Sequence, residues 1–370
     1  LLAPERQIGL SAHDFQIAAA ARTVVLTRAV RDDEAQTVPS RWLDRLTNLM
    51  EGLEGEKGAL ALMRERGRYW LDLATSYEEV DAKSSAPRPA PRPPVAARPR
   101  ELPVTAITRL IRDPYAIYAR YILKLRPLDP LRPEPDPLSR GKVLHAIVER
   151  FVRDRPQAET LAEARERLLS LSAEVLSTET PWPSAQRLWL ARIARFADRF
   201  VADEAERFTQ GEPVLIEEEG GMDLTGLGFR LTAKPDRIDQ RQDGTLHIYD
   251  YKSGSPPTPK QLKDFEKQLP LEAAMAERGA FAKIAPQQVH GCSFIQLGGE
   301  GKTTRFSRDD LDPDREWQRL RNLVTHYFRP GQGYPARRAL FKAEQVGDYD
   351  HLARYGEWEM SDRPVPEDLE

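Results

Sequence analysis

Asp236 and Asp250 lie fourteen residues apart in a stretch whose pattern leaves little choice of local fold. Each acid sits in a strand-like run, Lys234-Pro235-Asp236-Arg237-Ile238-Asp239 and Tyr249-Asp250-Tyr251-Lys252-Ser253-Gly254, and Gln242-Asp243-Gly244 between them is a turn signal. The stretch reads as one β-hairpin. Loop length then decides which side chains share a face, because a slip of one residue sends a whole strand's side chains to the opposite side. A two-residue turn at Asp243-Gly244 sets Asp250 opposite Arg237 and Asp236 on the other face. A three-residue loop, with Gly244 in the left-handed bulge position, pairs Asp236 with Asp250 on one face, and glycine suits that position. Lys252, two residues beyond Asp250, joins them by strand alternation.

Opposed carboxylates repel and cost stability, so a cation between them is the natural resolution, and Mg²⁺ or Mn²⁺ is expected. Hydrolysis of a phosphodiester needs such an ion to lower the pKa of bound water and neutralise phosphoryl charge. Lys252 can then steady the attacking water or the developing charge. The competing reading is a solvated strand face with an ordinary ion pair. Ser253-Gly254-Ser255-Pro256-Pro257 ends the strand abruptly and leaves the acid and lysine at a sheet edge that a substrate can approach.

Upstream, Leu144, Ile147, Val148 and Phe151 fall at helical spacing, with His145 bordering the stripe and Glu149 a turn further along. A neutral imidazole there can complete a metal site, or His145 is a satisfied packing residue. Downstream, Thr258-Pro259 can start one helix and Gln268-Leu269-Pro270 another, on which Gln268 and Glu272 share a face.

The order G-x-x-x-H, P-D, D-x-K, Q-x-x-x-E resembles that of the PD-(D/E)xK nuclease superfamily, specifically its RecB-like branch. The resemblance implies that His145, Asp236 and Asp250 are metal ligands and Lys252 the catalytic lysine, with Gln268 supporting DNA or the lysine. Glu272 stands where the family often has tyrosine. Leu102-Pro103-Val104-Thr105-Ala106-Ile107 and Arg112-Asp113-Pro114-Tyr115 look like the opening of the nuclease domain of AddB-type subunits of bacterial helicase-nucleases. Val24-Val25-Leu26-Thr27-Arg28 and Pro39-Ser40-Arg41-Trp42 look like the tail of the preceding helicase-like domain. In that family an AddA-type helicase-nuclease subunit is the partner, single-stranded and duplex-end DNA the substrate, and the strand ending 5′ the one degraded. A clamping module with a dead site is the alternative, as occurs in some relatives. One member type carries an iron-sulfur cluster on four cysteines. Here Asp113 occupies the first position, the chain's single cysteine is Cys292, and no such cluster is expected. Tyr349, Leu352, Tyr355 and Trp358 are then candidates to pack in its place.

The resulting expectation is an α/β fold, a restriction-endonuclease-like mixed sheet flanked by helices and preceded by a fragment of a helicase-like domain. Residues 1–80 read as that fragment, 81–102 as a linker rich in proline, arginine and alanine, and 103–370 as the nuclease domain. Six prolines between Pro87 and Pro99 are expected to forbid regular structure there. Leu1 and the abrupt start read as the end of a larger unit. One cysteine implies no disulfide framework, and no run is apolar or long enough to span a membrane, so a cytoplasmic protein is the default. A net charge of −3 carries no basic footprint; the basic clusters Arg109, Arg112, Arg120, Lys124 and Arg126, and Arg187, Arg192, Arg195 and Arg199, can line a channel or, equally well, are solvated helix faces. Further strands are expected at Thr23–Thr27, Val214–Asp223, Gly228–Asp239 and Gln288–Gln296. Helices are expected near Ser11–Ala21, Ser40–Leu53, Lys57–Leu73, Ala106–Leu123, Ser139–Arg153, Glu159–Leu176, Ser184–Thr209 and Asp309–Tyr327.

Overall fold

The computed structural model describes residues 4–32, 35–53, 58–79, 85–128, 131, 133–299, 301–339 and 346–369. The chain divides into two compact units, Leu1–Ser84 and Ser85–Glu370. Among its described residues the first contains three helices, α1 (Pro4–Ala19), α2 (Arg41–Gly52) and α3 (Ala59–Glu78). Ser40 caps α2 by accepting from the Leu43 amide. Thr23–Thr27, expected as a strand, is not one: it has no strand partner among the described residues. The expected helix start at Lys57 lies outside the described residues.

The second unit opens with β1 (Pro89–Arg92) and β2 (Glu101–Pro103), followed by α4 (Val104–Arg112), α5 (Pro114–Ile117) and a π-helical turn over Tyr118–Ile122. The segment expected to be a spacer is therefore packed structure, although 81–84 lie outside the described residues. Its prolines work as acceptors. The Pro91 and Pro89 carbonyls accept from the Tyr334 and Ala336 amides, and Arg88 and Arg92 carbonyls accept from Val365 and Leu369. Lacking an N–H costs nothing on an edge where only carbonyls are used. Arg98, 2% exposed, donates to the carbonyls of Pro93, Tyr327, Arg329 and Pro330 and so ties this segment to the end of a distant helix. The single helix expected over Ala106–Leu123 breaks at Asp113-Pro114, because proline cannot continue the ladder of the preceding turn.

Three long helices follow, α6 (Pro137–Arg153), α7 (Leu161–Glu179) and α8 (Pro183–Gln210). Asp136 caps α6 with Pro137 at its first position, and a Thr160–Glu163 capping box starts α7. Then come β3 (Gly211–Ile216), β4 (Gly220–Leu224), β5 (Phe229–Ala233), β6 (Arg237–Arg241) and β7 (Leu246–Lys252). The two long strands expected over 214–223 and 228–239 are each split between two sheets. Glu217, at φ 51°, and Lys234-Pro235 supply the breaks. Next are α9 (Pro259–Asp264), α10 (Gln268–Glu277), β8 (Val289–Gln296), β9 (Thr303–Ser307), α11 (Arg308–Leu311), α12 (Pro313–Tyr327) and β10 (Val365–Asp368).

The main sheet has the order β3-β6-β7-β8-β9, with β7 and β8 parallel and the other pairs antiparallel. A smaller sheet has the order β2-β5-β4, and β1 pairs with β10 in parallel. Alternation along the central strands sorts the core into two layers. Leu246, Ile248, Cys292 and Phe294 pack with α4, α10 and α12, whereas Tyr249, Tyr251, Ile295 and Leu297 pack with α6, α7 and α8. The architecture is α/β, a mixed sheet covered by helices on both faces, as expected for a restriction-endonuclease-like fold. Near the C-terminus, Tyr349 and Trp358 are buried as expected, but Leu352 is 45% exposed. Ionic contacts share the task there: Arg337 donates its amide to Asp113 and its guanidinium to Asp350.

Candidate active site

The hairpin adopts the longer loop. Arg237 pairs with Tyr249, Ile238 with Ile248 and Gln240 with Leu246, Gly244 sits at φ 81°, and the Arg241 amide donates to Thr245. Continued by one residue, this register sets Asp236 opposite Asp250. The Tyr251 amide donates to Asp236 Oδ2 at 2.7 Å, so the carboxylate of one strand end is held by the backbone of the other.

Behind the acids the opposite face of the ribbon is locked by buried charge. The Arg237 guanidinium, fully buried, forks onto both oxygens of Asp239 at 2.5 and 2.6 Å and reaches Glu204 of α8 at 2.6 Å. Glu204 also accepts from Arg207 and from the Tyr251 hydroxyl. A bidentate cluster of this kind, in which only Arg207 Nη2 lacks a partner among the described residues, fixes the angle between ribbon and helix.

At the strand ends α6, which packs on the same face of the sheet as α8, brings His145 to the acids. Its Nδ1 lies 3.4 Å from Asp236 and 3.7 Å from Glu217, and the ligand atoms of His145, Glu217 and Asp236 all fall within 4.8 Å of one another. Burial alone would lower the His145 pKa, but the Asp236 and Glu217 carboxylates, with the charge of Asp250, raise it to about 10. Glu217 also pairs with Lys234 at 2.8 Å. Burial opposes its ionisation, yet His145 and Lys234 hold its carboxyl below the usual range.

Glu217 carries no signal of its own in the sequence. It lies in the run Glu217-Glu218-Glu219, which looks like a solvated charge cluster, and only its position opposite Asp236 across β3 and β6 sets it apart. Asp250, expected among the metal ligands, stands outside this three-residue group. It is 2% exposed and engages Lys252 Nζ with Oδ1 at 2.9 Å and Oδ2 at 2.7 Å, while Gln268 Nε2 donates to Oδ1 at 3.1 Å. Burial raises the Asp250 pKa to about 6, opposed by Lys252 and reinforced by Asp236.

Glu272, one helical turn beyond Gln268 on α10, is 1% exposed, and neither carboxylate oxygen has a hydrogen-bond partner among the described residues. Burial and then the charges of Asp250 and Asp236 push its pKa up to about 8, so it is predominantly protonated at neutral pH. His145, Asp236, Lys252 and Glu217 line an open cleft of about 560 Å³, together with Gly141, Tyr251 and Ser253 to Ser255. Glu149 borders the same cleft and is paired with Arg153.

A family model described as the PD-(D/E)XK nuclease superfamily matches residues 101–345. The chain belongs to that superfamily. Among the relatives of this PD-(D/E)XK protein is an uncharacterized protein of Rickettsia bellii (strain RML369-C), 27% identical over 186 residues, which are 50% of this chain and 22% of that one. An ATP-dependent helicase/deoxyribonuclease subunit from Streptococcus pyogenes serotype M1 is 26% identical over 202 residues, 54% of this chain and 18% of that one. The chain spans less than a quarter of the length of either relative. The crystal structure of a proposed exonuclease from Eubacterium rectale superposes with a TM-score of 0.37 at 9% identity, over 70% of this chain and 95% of that one. A likeness that loose says nothing of function. No helix among the described residues is long and apolar enough to cross a membrane.

Proposed function

We propose that this PD-(D/E)XK chain is a divalent-metal-dependent deoxyribonuclease that hydrolyses single-stranded DNA, as the nuclease part of a helicase-nuclease that resects double-strand breaks for recombinational repair. The observation that carries the reading is the meeting of the His145–Glu217–Asp236 cluster and Lys252, itself held by the buried Asp250, at one open cleft.

The residues suit a hard divalent ion. Carboxylates and a half-buried imidazole converge, the imidazole giving up to solvent the proton that Asp236 and Glu217 favour when it ligates an ion, and a further acid, Glu272, is buried nearby without a hydrogen-bond partner among the described residues. In this reading His145, Asp236 and Asp250 hold Mg²⁺ or Mn²⁺, and Glu217 adds a fourth donor. A divalent ion, when bound, lowers the pKa of water and offsets charge on the phosphoryl oxygens. Lys252, anchored by Asp250, then donates to the attacking water or to a phosphate oxygen as negative charge builds. Gln268 orients Asp250 from α10, so the lysine's position is set by the helix as well as by the strand.

The wider setting rests on the likeness to the streptococcal protein, whose name joins helicase and deoxyribonuclease. On that basis residues 1–80 are the remnant of a helicase-like domain, an AddA-type helicase-nuclease is the partner, and the strand ending 5′ is the one cut.

The test is cleavage of end-labelled single-stranded DNA by the full chain with Mg²⁺ or Mn²⁺. Asp250→Ala is expected to lower the rate at least ~100-fold, and Lys252→Ala similarly while still binding Mn²⁺ in calorimetry. Undiminished cutting by Asp250→Ala would remove the catalytic assignment. A wild-type chain that cuts nothing, even beside a helicase-bearing partner, would instead be a DNA-clamping module.

A further inference from the structure

A second groove opens beside the cleft. It is about 360 Å³, lies between the start of α6, one face of α8 and the loop after β8, and shares Ser253 with the cleft. Trp189, Arg192, Ile193 and Phe196 follow the i, i+3, i+4, i+7 spacing, so α8 turns two rings, an aliphatic side chain and an arginine to one side. Leu144 and Ile193 complete a buried apolar floor.

The walls are cationic. Arg192 and Arg195 of α8 are exposed and make no ion pair among the described residues, in contrast to Arg165 of α7, which reaches across to Asp198 of α8. Arg140 stands at the ridge between cleft and groove. One of its Nη atoms donates to the Ser253 carbonyl at 3.2 Å, while its buried Nε has no partner. On the far wall Gly298 and Gly299 take φ values of 108° and 59°, a backbone that side chains rarely adopt and that leaves the mouth free of them.

An apolar floor with ring edges, walled by guanidinium groups that make no ion pair among the described residues and sharing Ser253 with the cleft proposed to cut phosphodiesters, fits one kind of ligand. Phosphates need the arginines, and exposed bases need the rings. A duplex keeps its base faces stacked inside and would use only the arginines. We propose that this groove carries unpaired nucleic acid leading to or from the cleft, with Arg192 and Arg195 on successive phosphates and the half-buried Phe196 against the bases, backed by Trp189, which is 6% exposed. This rests on the nuclease reading for its direction, but not for its binding chemistry.

The experiment is fluorescence anisotropy of a short labelled oligothymidylate with the full chain, in Ca²⁺ to suppress cutting, across a salt series. Arg192→Glu with Arg195→Glu is expected to weaken binding at least ~10-fold and to lower the slope of log K against log salt by about 1.4, two contacts at roughly 0.7 each. Phe196→Leu, which retains apolar packing, is expected to weaken binding roughly fivefold to a hundredfold with the slope unchanged. Circular dichroism of each variant confirms that it is folded. Unchanged affinity and slope in the folded arginine variant would overturn the proposal, whatever the wild type cuts. So would a blunt duplex that binds as tightly as the single strand and loses as much on Phe196→Leu. A wild type that cuts nothing, yet binds the strand through these residues, would sink the nuclease reading and leave this proposal standing.

Discussion

Glu272 poses the sharpest question at the scale of single residues. A fully buried carboxyl whose two oxygens have no hydrogen-bond partner among the described residues is costly, and the protein limits the cost by keeping a proton on it up to about pH 8. In the unfolded chain the same group ionises near pH 4.5. Between those values the unfolded state sheds a proton that the folded state keeps, so stability falls as pH rises through this window. Glu272→Gln is therefore expected to be more stable than wild type at pH 8, by on the order of 2–4 kcal/mol, with the gap closing by pH 4. Urea denaturation at the two pH values checks it, and an equal gap at both would show that the carboxyl ionises normally. Retention of such an acid beside Asp250 is the pattern of a site that gives up stability for chemistry.

At the scale of elements, the hairpin is held by the ionic cluster on its reverse side. Glu204→Ala would leave Arg237 and Arg207 buried without their shared carboxylate. It is expected to cost about 3–5 kcal/mol, whereas Glu204→Gln, which keeps a hydrogen-bonding oxygen, should cost less. Chemical denaturation midpoints of the two variants measure the difference, and equal losses would mean that packing alone matters there. The turn, its register and the facing of Asp236, Asp250 and Lys252 were legible because strand alternation and a left-handed glycine are local facts. So was the α6 stripe that delivers His145. Glu217 was not legible, since nothing local distinguishes the first acid of Glu217-Glu218-Glu219 from its neighbours. Nor was the division of 214–223 and 228–239 between two sheets, because sheet membership depends on partners distant in sequence, such as β2 for β5. Thr23–Thr27 has the composition of a strand, but pairing needs a partner, which composition cannot reveal.

The whole second unit depends on the proline-rich stretch that composition marked as a spacer. Composition describes what a segment cannot donate, and the fold uses what it can accept. Arg98 is the clearest single anchor, since one guanidinium satisfies four carbonyls, three of them at the end of α12 or just beyond it. Arg98→Ala would strand those acceptors and is expected to cost about 3 kcal/mol or more. The loss should appear as a lower denaturation midpoint together with faster proteolysis near residues 93–98, and a midpoint shifted by less than ~1 kcal/mol would show that water replaces the guanidinium. The prolines of β1 have one more consequence. If residues 334–336 were to peel away, the margin they uncover would present carbonyls at Pro89 and Pro91 but no amide to pair with an incoming strand. A stray chain would find half a template, and a transient opening of this border would sooner reclose than seed aggregation.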